Sequence, residues 1–188
     1  MLLGASNRLK GDNMKKAVIV PALLLFSGFG SVQPTLAQNP VSSVLRDFLP
    51  GREKNTVAAV EAMPADKFSF KPTPDQMTFG HLVGHMVGSN YMFCSKAAGV
   101  EAPKTPEVKE TDSKDALVTA LKSSFAFCSE ALGKMDDSKL GETTEGFGGK
   151  QVTRAWFALV LASSWADHYA ETAMYLRLNG VAPPTAKK

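Results

Sequence analysis

The chain is sparing with the residues that make chemistry conspicuous: 188 residues hold two cysteines, three histidines and two tryptophans. Two cysteines are too few for a miniprotein built on disulfides. Three histidines mean that any imidazole chemistry rests on very few positions. Charge of one sign is also scarce, with 21 Lys and Arg against 18 Asp and Glu and a formal charge of +3. Taken at face value, that small surplus suits nucleic acid or an anionic lipid surface. Low-complexity tracts, internal repeats and alternating apolar/polar strand patterns are all lacking. What is present is a composition that folds, since 44% hydrophobic and 21% charged residues exclude disordered and collagen-like chains.

The surplus of positive charge belongs to the first 37 residues. Met14-Lys15-Lys16 is followed by the apolar run Ala17–Phe29 and then by Thr35-Leu36-Ala37. That basic, apolar, small-residue order is the pattern of a secretory signal, with cleavage expected between Ala37 and Gln38 and Met14 as the expected start. The apolar run is short and broken by Pro21 and two glycines, so no stable membrane anchor is expected after cleavage. Removing residues 1–37 takes away Arg8, Lys10, Lys15, Lys16 and Asp12 and leaves 17 basic and 17 acidic side chains. The remaining single domain, 38–188, is formally neutral, so a nucleic-acid partner is not expected. Export to the periplasm would place Cys94 and Cys128 where pairing is favoured.

Punctuation divides residues 38–188 into four helical segments. The first is expected from about Val41 to Ala62, bent or restarted at Pro50-Gly51, and the stretch Phe68–Asp75 with Pro72 and Pro74 reads as extended. The second opens with Thr78 as N-cap and ends near Gly99, and a linker with Pro103 and Pro106 follows. Asp112 or Ser113 caps a third helix striped by Leu117, Leu121, Phe125, Cys128 and Leu132, which Gly133 stops. Gly141–Gly149, with four glycines, reads as a mobile loop. The fourth helix runs from about Thr153 to Asn179-Gly180, with Pro183-Pro184 barring continuation. Amphipathic helices without strands make an all-α four-helix bundle the natural architecture.

Within that frame His81 and His85 stand four apart on one helix face, and His168 lies mid-way along the fourth helix with Ser164, Glu171 and Tyr175 on the same stripe. Imidazoles on facing bundle helices are how such folds build metal sites. His81 also falls at the third helical position after Thr78, where a surface residue of the first turn is expected. Cys94 sits on the opposite face of its helix from His85, which removes it from any ligand set there. Trp156, Phe157, Leu161, Trp165 and Tyr169 read as core and interface packing.

Three stretches carry a family resemblance: VEAMPADKFSFKPTPDQ, MTFGHLVGHMVGSNYMFCSKAAG (Met77–Gly99) and HYAETAMYLRLNGVAPP (His168–Pro184). They resemble the DinB-like superfamily, the DNA-damage-inducible four-helix bundles, over about residues 45–184. The resemblance implies an up-down-down-up bundle and, in many members, a divalent metal such as zinc or nickel held by three histidines. One of these lies on the second helix, where His85 matches. The other two form an HxxxH pair on the fourth helix, where His168 matches the second and Ser164 stands in place of the first. A hydroxyl is a poor neutral ligand beside imidazole, so the third position stays open among Glu171, Ser164 and His81.

The expected function is a divalent-metal-dependent enzyme of hydrolase or thiol-transferase type acting on a small molecule. The alternative is a non-catalytic bundle with a degenerate metal site that binds a small ligand or a partner. A homodimer through exposed helix faces is a further expectation.

Overall fold

A computed structural model describes residues 39–104 and 107–186. The expected leader, with Met14 as its expected start and cleavage expected after Ala37, lies outside the described residues, as does Pro106 of the linker. Four helices carry the fold: α1 (Pro40–Ala62), α2 (Phe79–Ala98), α3 (Lys114–Gly133) and α4 (Arg154–Leu178). No helix among the described residues is long and apolar enough to cross a membrane.

Each helix starts on a polar group that satisfies its free amides. Thr78 Oγ1 accepts the backbone N–H of His81 at 3.0 Å, Ser113 accepts that of Ala116 at 3.2 Å, and Thr153 accepts that of Trp156 at 3.3 Å. Helix α1 has no such neighbour and uses a remote one. The Asp137 carboxylate receives the N–H groups of Val41 and Ser42 at 2.7 and 3.1 Å, a negative charge at the positive end of the helix dipole. Gly99 and Gly180, at φ 64° and 72°, end α2 and α4 in the left-handed conformation that glycine adopts without strain.

The side-chain contacts fix the direction of every helix. Arg46 at the start of α1 reaches Leu132 O at the end of α3, and Lys114 at the start of α3 reaches Met63 O after α1, so these two are antiparallel. Asn90 bonds Ser124 and Cys94 is bridged to Cys128, so α2 and α3 run parallel. Arg154 binds the last carbonyls of α2 while Tyr175 binds Met77 O before it, so α4 is antiparallel to α2. The result is up-down-down-up, with α2 packed against α3 and α4, and α1 packed against the same two helices from the other side. Each helix contributes to one core, through Val60, Leu82, Leu121 and Leu161 among other fully buried residues. The expected disulfide joins Cys94 to Cys128.

Three expectations change. The stretch Phe68–Asp75 is folded into turns rather than extended, with the Phe70 N–H bonded to Lys67 O and the Gln76 N–H to Thr73 O. Helix α1 continues through Pro50, because Leu45 and Leu49 before it and Val57 and Val60 after it are buried together. Packing along that face outweighs the one backbone bond that proline removes. The four-glycine segment is also more ordered than a mobile loop: β1 (Thr143–Glu145) pairs antiparallel with β2 (Gln151–Thr153). Gly148 and Gly149 turn the hairpin at φ 65° and 73°. Three paired residues per strand are too few to leave an alternating pattern in the sequence.

Candidate functional site

The antiparallel packing of α2 on α4 brings His85 opposite His168. Their ring centres are 5.0 Å apart with the planes at 85°. Both lie where the two helices face each other, but in different surroundings: His85 is exposed and His168 half-buried. Ser164, one turn before His168, places its Oγ 3.2 Å from His168 Nδ1. Further along α4, the Thr172 hydroxyl donates to the His168 carbonyl at 2.7 Å.

Behind the pair the interior is closed. Met86, Asn90, Phe125 and Trp165 fill the space against His168, and the Asn90 carboxamide is bonded at both ends. Its carboxamide oxygen accepts from Trp165 Nε1 at 2.9 Å while its nitrogen donates to Ser124 Oγ at 2.9 Å. Removal from water pushes the His168 pKa down to about 4, with His85 adding to the fall and Asp167 opposing it. His168 is therefore a neutral imidazole at physiological pH, with a lone pair ready to bind metal or accept a proton.

Beside His85 a cleft of about 510 Å³ opens to solvent, lined by His81, Gly84, His85, Val108, Lys109 and Glu110. The linker after α2 forms one wall. Glu110 Oε2 accepts from the Thr78 hydroxyl at 2.7 Å and lies 3.6 Å from His81 Nδ1. A larger cleft of about 810 Å³ runs between α1 and α3 past Glu53, Lys54, Glu61 and Lys122. It holds no histidine or cysteine, so the chemistry stays at α2 and α4.

The sequence candidates thus separate. His85 and His168 meet, Ser164 touches His168, and His81 lines the same cleft as His85. Of the two carboxylates nearby in sequence, Asp167 opposes the fall of the His168 pKa, and Glu171 raises that of Tyr175 after the larger effect of burial. Cys94 is at the disulfide. Glu110 escaped sequence reasoning because nothing in a Pro-containing linker marks which residue returns to the helix.

Among the described residues no three His, Cys, Asp or Glu side chains converge as a metal cluster. The His85–His168 spacing nevertheless suits a shared ion. With each ring centre about 3.2 Å from a zinc ion, two imidazoles at the tetrahedral angle have centres about 5 Å apart. The chemistry of two imidazoles likewise fits zinc or nickel. Ser164 adds no third nitrogen.

A family model for the DinB superfamily matches residues 51–172. Two solved structures share the fold. A DinB-like protein from Bacillus subtilis is 20% identical with a TM-score of 0.59, the match covering 76% of this chain and 93% of that one. A DinB-like protein from Bacillus cereus is 17% identical with a TM-score of 0.61, covering 76% and 95%. No curated protein matches the chain.

Proposed function

The chain belongs to the DinB superfamily, and from that premise we propose that it is an exported, divalent-metal-dependent enzyme of hydrolase or thiol-transferase type working at His85 and His168. One observation carries the reading: two imidazoles from different helices have their ring centres 5.0 Å apart, and one of them, His85, lines a cleft open to solvent. A divalent ion held there supplies a Lewis-acidic centre able to activate a water or a thiol. The chain's own residues do the rest. Burial keeps His168 unprotonated, and the bond between Ser164 Oγ and His168 Nδ1 fixes the ring so that Nε2 is the nitrogen left free. His85 stands at the exposed rim, where a small substrate in the cleft meets it. Met86, Asn90, Phe125 and Trp165 close the rear, which keeps the reacting face on the solvent side.

Export to the periplasm belongs to the same reading, supported by the basic and apolar pattern of residues 14–37. The competing reading, a non-catalytic bundle, draws its support from Ser164, which leaves the family's third imidazole missing. Metal analysis of the purified protein separates them. Stoichiometric zinc or nickel, lost in a His85→Ala, His168→Ala double variant, is the expected result. No bound metal under saturating conditions contradicts the enzyme reading.

A further inference from the structure

We propose that the outward face of α1 and α4 is the surface through which two copies of this chain form a two-fold dimer, an inference independent of the metal reading. Among the described residues, the large apolar side chains left exposed are gathered on few elements. They are Val44 and Phe48 on α1, Trp156, Leu159, Met174 and Leu178 on α4, and Phe147 in the hairpin beside Trp156. Among the same residues, α2 and α3 carry none.

Helix α4 is built for cover on two sides. Phe157, Leu161, Trp165 and Thr172 line its buried side. On the opposite side Trp156, Leu159, Ser163, Ala166, Ala170 and Met174 follow at steps of three and four. This second stripe holds no charge, and a helix that is apolar all round is one that is buried all round. Its one hydroxyl, on Ser163, already donates to Val160 O at 3.0 Å, so covering the stripe strands no polar group.

Helix α1 extends the face. Val44 and Phe48 each lie about 160° round the helix from Arg46, whose guanidinium reaches α3, so they look to the α4 side. The two helices start on one support: Asp137 binds the Val41 N–H, and Leu140 O accepts the Ala155 N–H. Phe48 and Leu159 are therefore at the same end of the bundle.

Area and charge both suit a second copy. The exposed apolar side chains of α1 and α4 present roughly 500 Å², and a stable dimer covers ~800 Å² of each copy, a little over half of it apolar. At the edge stand Asp47 and Arg52 on α1 and Asp167 and Arg177 on α4, and none of these belongs to an ion pair among the described residues. Both signs in equal number let the face meet its own copy, whereas a face of one sign would repel itself. The same balance offers nothing to an anionic membrane. An antiparallel two-fold pairing also sets the large Trp156 and Leu159 of one stripe against the small residues 163–170 of the other.

The test is sedimentation equilibrium of the purified protein from about 1 to about 100 µM, a range spanning ordinary dimer affinities. The expected mass is that of a dimer. Leu159→Arg on α4 and Phe48→Glu on α1 are each expected to raise the dissociation constant at least about thirtyfold. Far-UV circular dichroism should not change, since both side chains are exposed. Glu130→Arg, exposed on α3, should leave the dimer intact. A monomer throughout that range overturns the inference, as does a dimer indifferent to both substitutions. Weakening in only one of the two variants overturns the two-helix face. Mass that grows past two copies with concentration overturns two-fold closure. Binding to phosphatidylcholine/phosphatidylglycerol vesicles that Leu159→Arg abolishes would assign the face to a membrane and overturn the dimer.

Discussion

Ser164 Oγ lies 3.2 Å from His168 Nδ1, one helical turn away on α4. A hydroxyl here can orient the ring of His168, but it cannot replace the imidazole that the family resemblance implies at this position. Ser164→His is therefore expected to add a nitrogen donor beside a site that already has two, and to raise zinc affinity by about tenfold or more. Chelator competition on the variant checks this. Unchanged affinity would mean that residue 164 does not face the ion.

The depressed pKa of His168 makes stability depend on pH. The folded chain keeps this ring neutral down to about pH 4, whereas an unfolded histidine takes a proton near 6.5. Between those values the unfolded state binds more protons, so stability is full above about pH 6.5 and declines as pH falls toward 4. The contribution lost between pH 7 and pH 5 is roughly 1–2 kcal/mol. Urea unfolding at the two pH values, compared between wild type and His168→Gln, isolates it. The variant should show a smaller decline, and an identical decline would remove His168 as the cause.

The Cys94–Cys128 bridge closes a separation of 34 residues between two parallel helices. Constraining an unfolded loop of that length stabilises the fold by about 3–4 kcal/mol. Replacing both cysteines with alanine should lower the denaturation free energy by that order. His85 should remain able to bind metal, because Cys94 lies on another face of α2. A double variant as stable as the wild type would contradict the estimate.

Arg154 is buried, and its guanidinium binds Ala97 O at 3.1 Å, Ala98 O, and Glu142 Oε2 at 3.0 Å. It satisfies the last carbonyls of α2 and joins α2 to α4 and to the residue preceding β1. Arg154→Ala is expected to cost about 2–4 kcal/mol, because buried carbonyls lose their donors. Gly99→Ala should also destabilise: residue 99 is at φ 64°, and a Cβ there would lie 2.6 Å from Arg154 Cζ. Chemical denaturation of each variant measures the loss, and near-wild-type stability of Arg154→Ala would show that water replaces the guanidinium.

The sequence carried the bundle clearly, for reasons seen in particular residues. Thr78, Ser113 and Thr153 act as caps where their positions before apolar runs indicate them, and Gly99 and Gly180 stop helices as glycine does. The His85–His168 meeting was legible only through the family resemblance, since spacing within a helix says nothing about which partner helix it faces. The restart expected at Pro50 does not occur, because the local cost of proline is visible in sequence whereas the packing of Leu49 and Val57 that outweighs it is not. Glu110 and the buried Arg154 act through contacts 32 and 56–57 residues away, beyond the reach of any local pattern. The hairpin was hidden by its brevity.

The most direct test of the account is a crystal of the protein soaked in zinc and measured at the zinc absorption edge. The account predicts an anomalous peak between α2 and α4, about 2.1 Å from one nitrogen of His85 and one of His168. Zinc bound only elsewhere, or no peak beside His168 at saturating zinc, would contradict it.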